Sequence, residues 1–201
     1  MGHRFCNAAP GAALRLDGNR PGGHTLPTTP SARREPRLDM SAAPDTDLVL
    51  WHALYRLEAR YWYDVDLNGG GNAHSFYTAD GLFGVGDNEF RGREQIRQFY
   101  AWRAQRGLAT VRGLRTTRHL ISNLWVERAS AGEAKAFGVI SFYEASGRPP
   151  VKESQPPILV ADLVNVCALD EDGEWRFKSH VLQPVFMGAD VPLSLAVDLT
   201  R

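Results

Sequence analysis

The chain has 201 residues, 43% of them hydrophobic and 10% aromatic, which is enough for one well-buried domain and short for two. Its formal charge is zero but unevenly placed: residues 1–40 carry six Arg against Asp17, Glu35 and Asp39, and the remainder holds 17 basic against 20 acidic side chains. A mildly acidic folded part has no electrostatic footprint for nucleic acid, no run approaches the roughly 18 apolar residues that span a bilayer, and no apolar signal segment opens the chain. A soluble, cytoplasmic protein is therefore expected. Cys6 and Cys167 lie in regions of different character, so a structural disulfide is not expected and a reducing compartment fits.

From Met1 to Asp45 the sequence is rich in Pro, Gly, Ala and Arg, as in Leu26-Pro27-Thr28-Thr29-Pro30, with too few large apolar residues to offset the entropy of ordering. A disordered tail is expected over 1–45, with Met40 as an alternative start of the chain. From Thr46 the pattern changes. Leu48, Trp51, Leu54, Tyr55, Leu57, Glu58, Tyr61 and Trp62 follow helical spacing, with Asp45 or Thr46 as N-cap, which predicts a helix over 46–66. A Gly-rich loop over 69–71 and a turn at Ser75-Phe76-Tyr77 follow, then two short strands, 81–86 and 89–91, around a Gly-Asp-Asn turn. Gly92 to Arg106 reads as a second helix capped by Gly107.

Beyond Gly107 the period shifts to two. Four strands are predicted, at about 113–127, 134–146, 157–169 and 174–186, with a proline-rich loop between the second and third and the hairpin turn Asp170-Glu171-Asp172-Gly173 between the third and fourth. Helices first and an antiparallel meander afterwards define an α+β fold, with helices packed on one face of a curved antiparallel sheet. The domain is expected to span 46–188, with 189–201 as a C-terminal extension.

His119 lies in the extended run Arg118-His119-Leu120-Ile121-Ser122-Asn123-Leu124-Trp125-Val126. Asp66 closes the aromatic helix end Tyr61-Trp62-Tyr63-Asp64-Val65-Asp66, where a carboxylate faces the negative end of the helix dipole at a cost. Residues that break a local rule are where function is worth seeking. Asp64 is the competing carboxylate. Alternation puts Ile121, Asn123 and Trp125 on the face of His119, a mixed, cavity-like face on which Asn123 either binds ligand or braces a neighbouring strand. Asp162 and Asn165 are polar positions within an otherwise apolar strand. His180, by alternation with Trp175 and Phe177, falls on the solvated or interface face, and Glu94 is explained by the first turn of its helix. The histidines lack paired metal spacing and no nucleotide-binding loop is present, so no metal or cofactor is expected.

Four stretches together resemble the nuclear transport factor 2-like superfamily, and within it the SnoaL-like group. They are Arg60-Tyr61 through Asp66, Phe76-Tyr77-Thr78-Ala79-Asp80-Gly81-Leu82-Phe83, Phe90-Arg91-Gly92-Arg93-Glu94-Gln95-Ile96 and Thr117-Arg118-His119-Leu120-Ile121-Ser122-Asn123. The Gly-rich 69–71 stretch departs from the group's usual continuation. The resemblance implies a cone-shaped cavity. Through relatives such as scytalone dehydratase and bile-acid 7α-dehydratase, it also implies a catalytic set of His119, Asp66 and Tyr61. In that set an imidazole with a pKa near 6.5 moves the proton, Asp66 fixes its tautomer, and Tyr61 donates to an enolate oxygen or serves as a core aromatic. Trp62, Phe83, Asn123, Trp125, Asp162 and Asn165 are then the candidate substrate-binding residues, with Tyr63, Phe76, Phe142 and Phe177 as further aromatic lining. Two functions follow as expectations. One is a cofactor-independent, dehydratase-like lyase or isomerase acting on a small hydrophobic cyclic carbonyl compound. The other is a non-catalytic small subunit of a ring-hydroxylating dioxygenase, partnered by an oxygenase large subunit, or a small-ligand-binding module. A homodimer through the open sheet face is expected by the same resemblance.

Overall fold

The computed structural model describes residues 46–109, 115–152, 155–189, 192 and 195; the expected tail over 1–45 and most of the 189–201 extension lie outside these residues. Helix α1 (Thr46–Leu67) is followed by a 3-10 turn (Ala73–Phe76), strands β1 (Tyr77–Val85) and β2 (Asn88–Arg91), helix α2 (Gly92–Ala109), and strands β3 (Arg115–Arg128), β4 (Glu133–Ser146), β5 (Leu159–Leu169) and β6 (Trp175–Met187). α2 runs past Gly107, the expected cap, because one internal glycine costs a helix about 1 kcal/mol against alanine without ending it.

The six strands form one sheet in the order β2-β1-β6-β5-β4-β3. The meander β3 to β6 and the β1–β2 hairpin are antiparallel, as expected, but β1 lies parallel to β6, so the sheet is mixed rather than wholly antiparallel. A parallel neighbour needs a long connection, and here α2 and the whole meander supply it. Gly81 lies tight against β6: a Cβ there would lie 2.8 Å from the carbonyl oxygen of Phe177.

α1 buries Leu50, Leu54, Leu57, Tyr61 and Val65, one face at helical spacing, against the concave side of the sheet. α2 closes the same side with Ile96, Phe99 and Tyr100. The core therefore lies between the two helices and the inner face of the sheet. Burying one such aromatic or leucine contributes about 1.5–3 kcal/mol.

Four register shifts interrupt the sheet, and two of them, one in β3 and one in β6, matter below. In β3, pairing with β4 steps from Ser122↔Val139 to Trp125↔Phe137, and Asn123 takes a left-handed φ of 52°. In β6, pairing with β5 steps from Phe177↔Cys167 to Ser179↔Val166, which leaves Lys178 as the bulged residue. A bulge reverses the alternation of every side chain beyond it. Among the described residues no helix is long and apolar enough to cross a membrane.

Candidate active site

The C-terminal turn of α1 meets the start of β3, and there Asp66 takes up three hydrogen bonds. His119 Nδ1 lies 2.6 Å from Oδ1, the backbone N–H of His119 donates to Oδ2 at 2.8 Å, and Thr117 Oγ1 donates to Oδ1 at 3.0 Å. Both side chains of the pair are only 7% exposed. These donors answer the unfavourable helix-end position of the carboxylate. Asp64, the competing carboxylate, does different work: it accepts from Asn68 Nδ2 (2.8 Å), Asn72 N (3.0 Å) and Asn72 Nδ2 (3.0 Å), and so ties the Gly-rich loop to the end of α1.

Burial pushes the Asp66 carboxyl up, but the bonds from His119 and Thr117 outweigh it and hold the group below the usual carboxylate range. Burial pulls the His119 imidazole down, and Arg103 adds to this against the raising effect of Asp66, so the net direction is below 6.5. The pair is thus a carboxylate beside a neutral imidazole near neutral pH. Nδ1–H donates to Asp66, and Nε2 keeps the lone pair.

The ring of His119 is clamped between Trp62 (centroids 4.2 Å apart) and Phe142 (4.4 Å), both nearly parallel to it. It opens on a narrow cavity lined by Trp62, Phe83, Phe99, Tyr100, Arg103, Phe142 and aliphatic residues of β1, β4, β5 and β6. The cavity volume is about 20 Å³, roughly the space of one water. Arg103 lies over the rings of Tyr100 and Phe142, 6.0 Å from each centroid. A larger concavity of about 540 Å³, near Arg56, Arg60, Phe76 and Trp175, lies on the other side of α1 and lacks an acid/base pair.

Behind the cavity wall lies a second, fully buried polar cluster. Glu58 accepts from Trp62 Nε1 (2.9 Å) and from Asn165 Nδ2, while Asn165 Oδ1 accepts the backbone N–H of Val181 (3.3 Å). His180 Nδ1 is 2.9 Å from the Tyr77 hydroxyl, which donates to Tyr61 (3.0 Å), whose hydroxyl meets that of Tyr100. His180 Nε2 is buried without a hydrogen-bond partner, 3.7 Å from Glu58 Oε2. Burial pushes the Glu58 carboxyl up to about 8, although Trp62 opposes it, and pulls the His180 imidazole down to about 3.

Asp66, His119, Trp62 and Phe83 come together at the cavity. Tyr61 stands one hydroxyl behind its wall, reached through Tyr100, and Asn165 holds Glu58 in the buried cluster. Asn123 and Trp125 do not share the face of His119: the β3 bulge turns them outward, where Trp125 is 50% exposed and stacks on Phe137, while Leu124 and Val126 take the inner positions. The Leu124 carbonyl beside the bulge is taken up by Trp51 Nε1 (2.9 Å). Asp162 is exposed on the outer face; Leu159, Ala161, Leu163, Asn165 and Cys167 alternate strictly inward, and an even-numbered residue cannot join them. His180 is the reverse case. Expected at the solvated face, it is 0% exposed, because the bulge at Lys178 rotates it into the core. Tyr63 is exposed, Phe76 lines the larger concavity, and Phe177 stacks on His180 within the core. Glu94 pairs with Arg97 and Gln98 in the first turn of α2.

Sequence reasoning missed Tyr100, Arg103, Glu58 and Tyr77. The signal for the first two was Phe99-Tyr100 and Arg103 on one helix face. A carboxylate at Glu58, among apolar neighbours of α1, was the signal for the third. Among the described residues no group of three or more metal-ligating side chains gathers.

A mixed curved sheet closed on one side by two helices, over a histidine–carboxylate pair, defines an α+β cavity protein. The SnoaL-like domain model matches residues 50–181, and the chain belongs to that family. Its fold is similar to that of a scytalone dehydratase-like protein from Novosphingobium aromaticivorans (TM-score 0.60, 22% identity, 75% of this chain and 93% of that one). It is also similar to the β subunit of an aromatic-ring-hydroxylating dioxygenase-like protein from the same organism (0.59, 15%, 72% and 94%) and to ActVI-ORFA from Streptomyces coelicolor (0.57, 15%, 67% and 97%). At these identities the likeness is one of fold. No curated protein matches the chain by sequence.

Proposed function

We propose that the protein is a cofactor-independent lyase or isomerase of dehydratase type, acting on a small hydrophobic cyclic carbonyl compound. The observation that carries this is the 2.6 Å bond between Asp66 and His119 at the wall of an aromatic cavity. With Nδ1–H held by Asp66, Nε2 takes a proton from the carbon α to a carbonyl, and the imidazolium, stabilised by the carboxylate, returns it to a departing β-hydroxyl. The Tyr61 cluster supplies the hydroxyl hydrogen bonds toward the developing enolate, and Arg103 supplies positive charge beside it. Stacking between Trp62 and Phe142 fixes the imidazole plane.

The test is turnover of cyclic β-hydroxy ketones, followed by the ultraviolet absorbance of the enone, on wild type, His119→Ala and Asp66→Asn. Loss on the order of 10²–10⁴-fold in His119→Ala is expected; turnover surviving in that variant refutes the reading. Recovery of a small apolar ligand with wild type but not with the variants, by native mass spectrometry, is the matching binding result.

One observation favours the second reading, a small subunit without chemistry of its own: a cavity of about 20 Å³ holds no ring-shaped ligand as it stands. On that reading an oxygenase large subunit co-purifies from the native source and the two variants behave as wild type. We further propose that a second copy of the chain covers the outer sheet face. Leu120, Trp125 and Val185 are exposed there beside Arg118 and Lys135 and the acidic Glu127 and Asp162, a mixture of signs that can pair with itself about a two-fold axis.

A further inference from the structure

The buried cluster behind the cavity has a direction. Tyr77 has a single proton and donates it to Tyr61. Tyr77 therefore accepts from His180, and since their contact is at Nδ1, that nitrogen carries the imidazole proton. Nε2 is then a bare acceptor, buried, unpartnered and turned toward Glu58 Oε2 at 3.7 Å. A carboxylate facing a lone pair would repel it; a protonated carboxyl supplies the missing hydrogen. At the other end, Tyr61 meets Tyr100, and Tyr100 lines the cavity with His119.

We propose that Tyr100 is the hydroxyl that touches the substrate oxygen, and that Glu58, His180, Tyr77 and Tyr61 form a buried proton chain that resupplies it. The proposal rests on the functional reading above and adds the second half of its acid–base machinery. As His119 Nε2 takes the α-proton, the carbon–hydrogen electrons move into the Cα–C bond and the carbonyl oxygen takes the Tyr100 proton. Tyr61 gives its proton to Tyr100, Tyr77 to Tyr61, His180 Nδ1 to Tyr77, and Glu58 to His180 Nε2. The histidine ends neutral as the other tautomer, and the new Glu58 carboxylate is met by Trp62 Nε1–H and Asn165 Nδ2–H. When the enol collapses and the leaving hydroxyl departs as water with the His119 proton, the five transfers reverse. No protonated His180 is formed, which suits an imidazole that burial keeps neutral.

The groups around the chain suit this role. The titratable side chains acting on Glu58 and its neighbours are His180, Tyr77 and Cys167, with Tyr100 acting on Tyr77 and His119 on His180, all neutral near pH 7 in the resting enzyme. Burial pushes Tyr100 up to about 12, while Arg103 favours its ionised form and Asp64 and Asp66 oppose it. Tyr100 thus stays protonated at rest, with a guanidinium beside it as charge develops.

The test uses the full chain with Glu58→Gln, Tyr77→Phe and Tyr100→Phe, near-isosteric changes whose folding is checked by circular dichroism; Tyr61→Phe cuts the next link if Tyr77→Phe fails to fold. Infrared spectra need no substrate. A protonated-carboxyl band is expected at pH 6–7 that is absent from Glu58→Gln, shifts in Tyr77→Phe, and fades as pH rises through about 8. Absence of that band at pH 6–7 makes Glu58 ionised and overturns the chain, whatever the dyad does. On a substrate that His119→Ala no longer turns over, Tyr100→Phe is expected to lose on the order of 10²-fold in kcat with little change in KM. Glu58→Gln and Tyr77→Phe are expected to lose kcat together with the alkaline limb near pH 8. If the three variants keep the wild-type rate and pH profile while His119→Ala is inactive, the dyad stands and the chain falls.

Discussion

A neutral imidazole bonded to a carboxylate is a base whose working range is set by two opposed forces, and at His119 burial prevails over Asp66. The folded-state pKa lies below 6.5, so the free base persists into mild acid. On its acid side kcat/KM should hold through neutral pH and fall below pH 6.5, as His119 takes a proton, while the alkaline limb near pH 8 belongs to Glu58. Asp66→Asn removes the partner that raises the imidazole and leaves burial and Arg103 to lower it unopposed. The acid limb should then move to still lower pH while the plateau drops, because the Nδ1–H tautomer is no longer enforced. A pH–rate profile of the two proteins checks this, and an acid limb above 6.5 in wild type sinks it. At this scale the sequence was legible where chemistry and position coincided. Asp66 at a helix end and His119 in a strand stood out as a pair; Tyr100 did not, because a tyrosine on an amphipathic helix face looks the same whether it lines a cavity or fills a core.

Elements were readable to within a few residues because both periodicities are long, and three of the misplaced side chains share one cause. Asn123 and Trp125 were assigned inward and His180 outward by strict alternation, yet Asn123 lies within a bulge and the other two just beyond one. Asn123 with its positive φ is the nearest thing to a warning, since asparagine tolerates the left-handed region better than most. The parallel β1–β6 pairing was likewise unreadable: it joins segments about a hundred residues apart, whose neighbours in sequence give no hint of it. The Gly-rich loop, which departs from the family's usual pattern, has a role in packing. Gly70 has φ +80°, and a Cβ there would lie 2.1 Å from Cδ1 of Tyr100. Gly70→Ala should therefore destabilise the fold by about 1–3 kcal/mol from backbone conformation alone, and displace Tyr100 as well. The expected signature is a lowered melting temperature, with activity falling more than stability explains. Gly69→Ala, with open space at its Cβ, should show only the backbone cost.

Among the described residues, the inner sheet face, the helices and the buried polar cluster pack together, and the outer face exposes Leu120, Trp125 and Val185, the surface on which the proposed dimer rests. Wild type should sediment as a dimer, and Leu120→Glu with Trp125→Glu should give a monomer with an unchanged circular dichroism spectrum. A wild-type monomer that pairs only with a second kind of chain would instead assign the face to an assembly partner. The curved α+β architecture could be read from the order of elements alone, but the outer face could not be divided between these occupants, because apolar residues and balanced charge suit both.

The water-sized cavity beside His119 has a consequence for timing. On the proposed function, a ring-shaped guest does not fit a cavity of this size, and its association would wait for Tyr100, Arg103 and Phe142 to part. The apparent affinity is then weakened by the scarcity of the open form, and the observed rate of uptake levels off as guest concentration rises. Mixing experiments would thus report the breathing rate of the wall, and α2, which carries Tyr100 and Arg103, would act as the clock of the reaction.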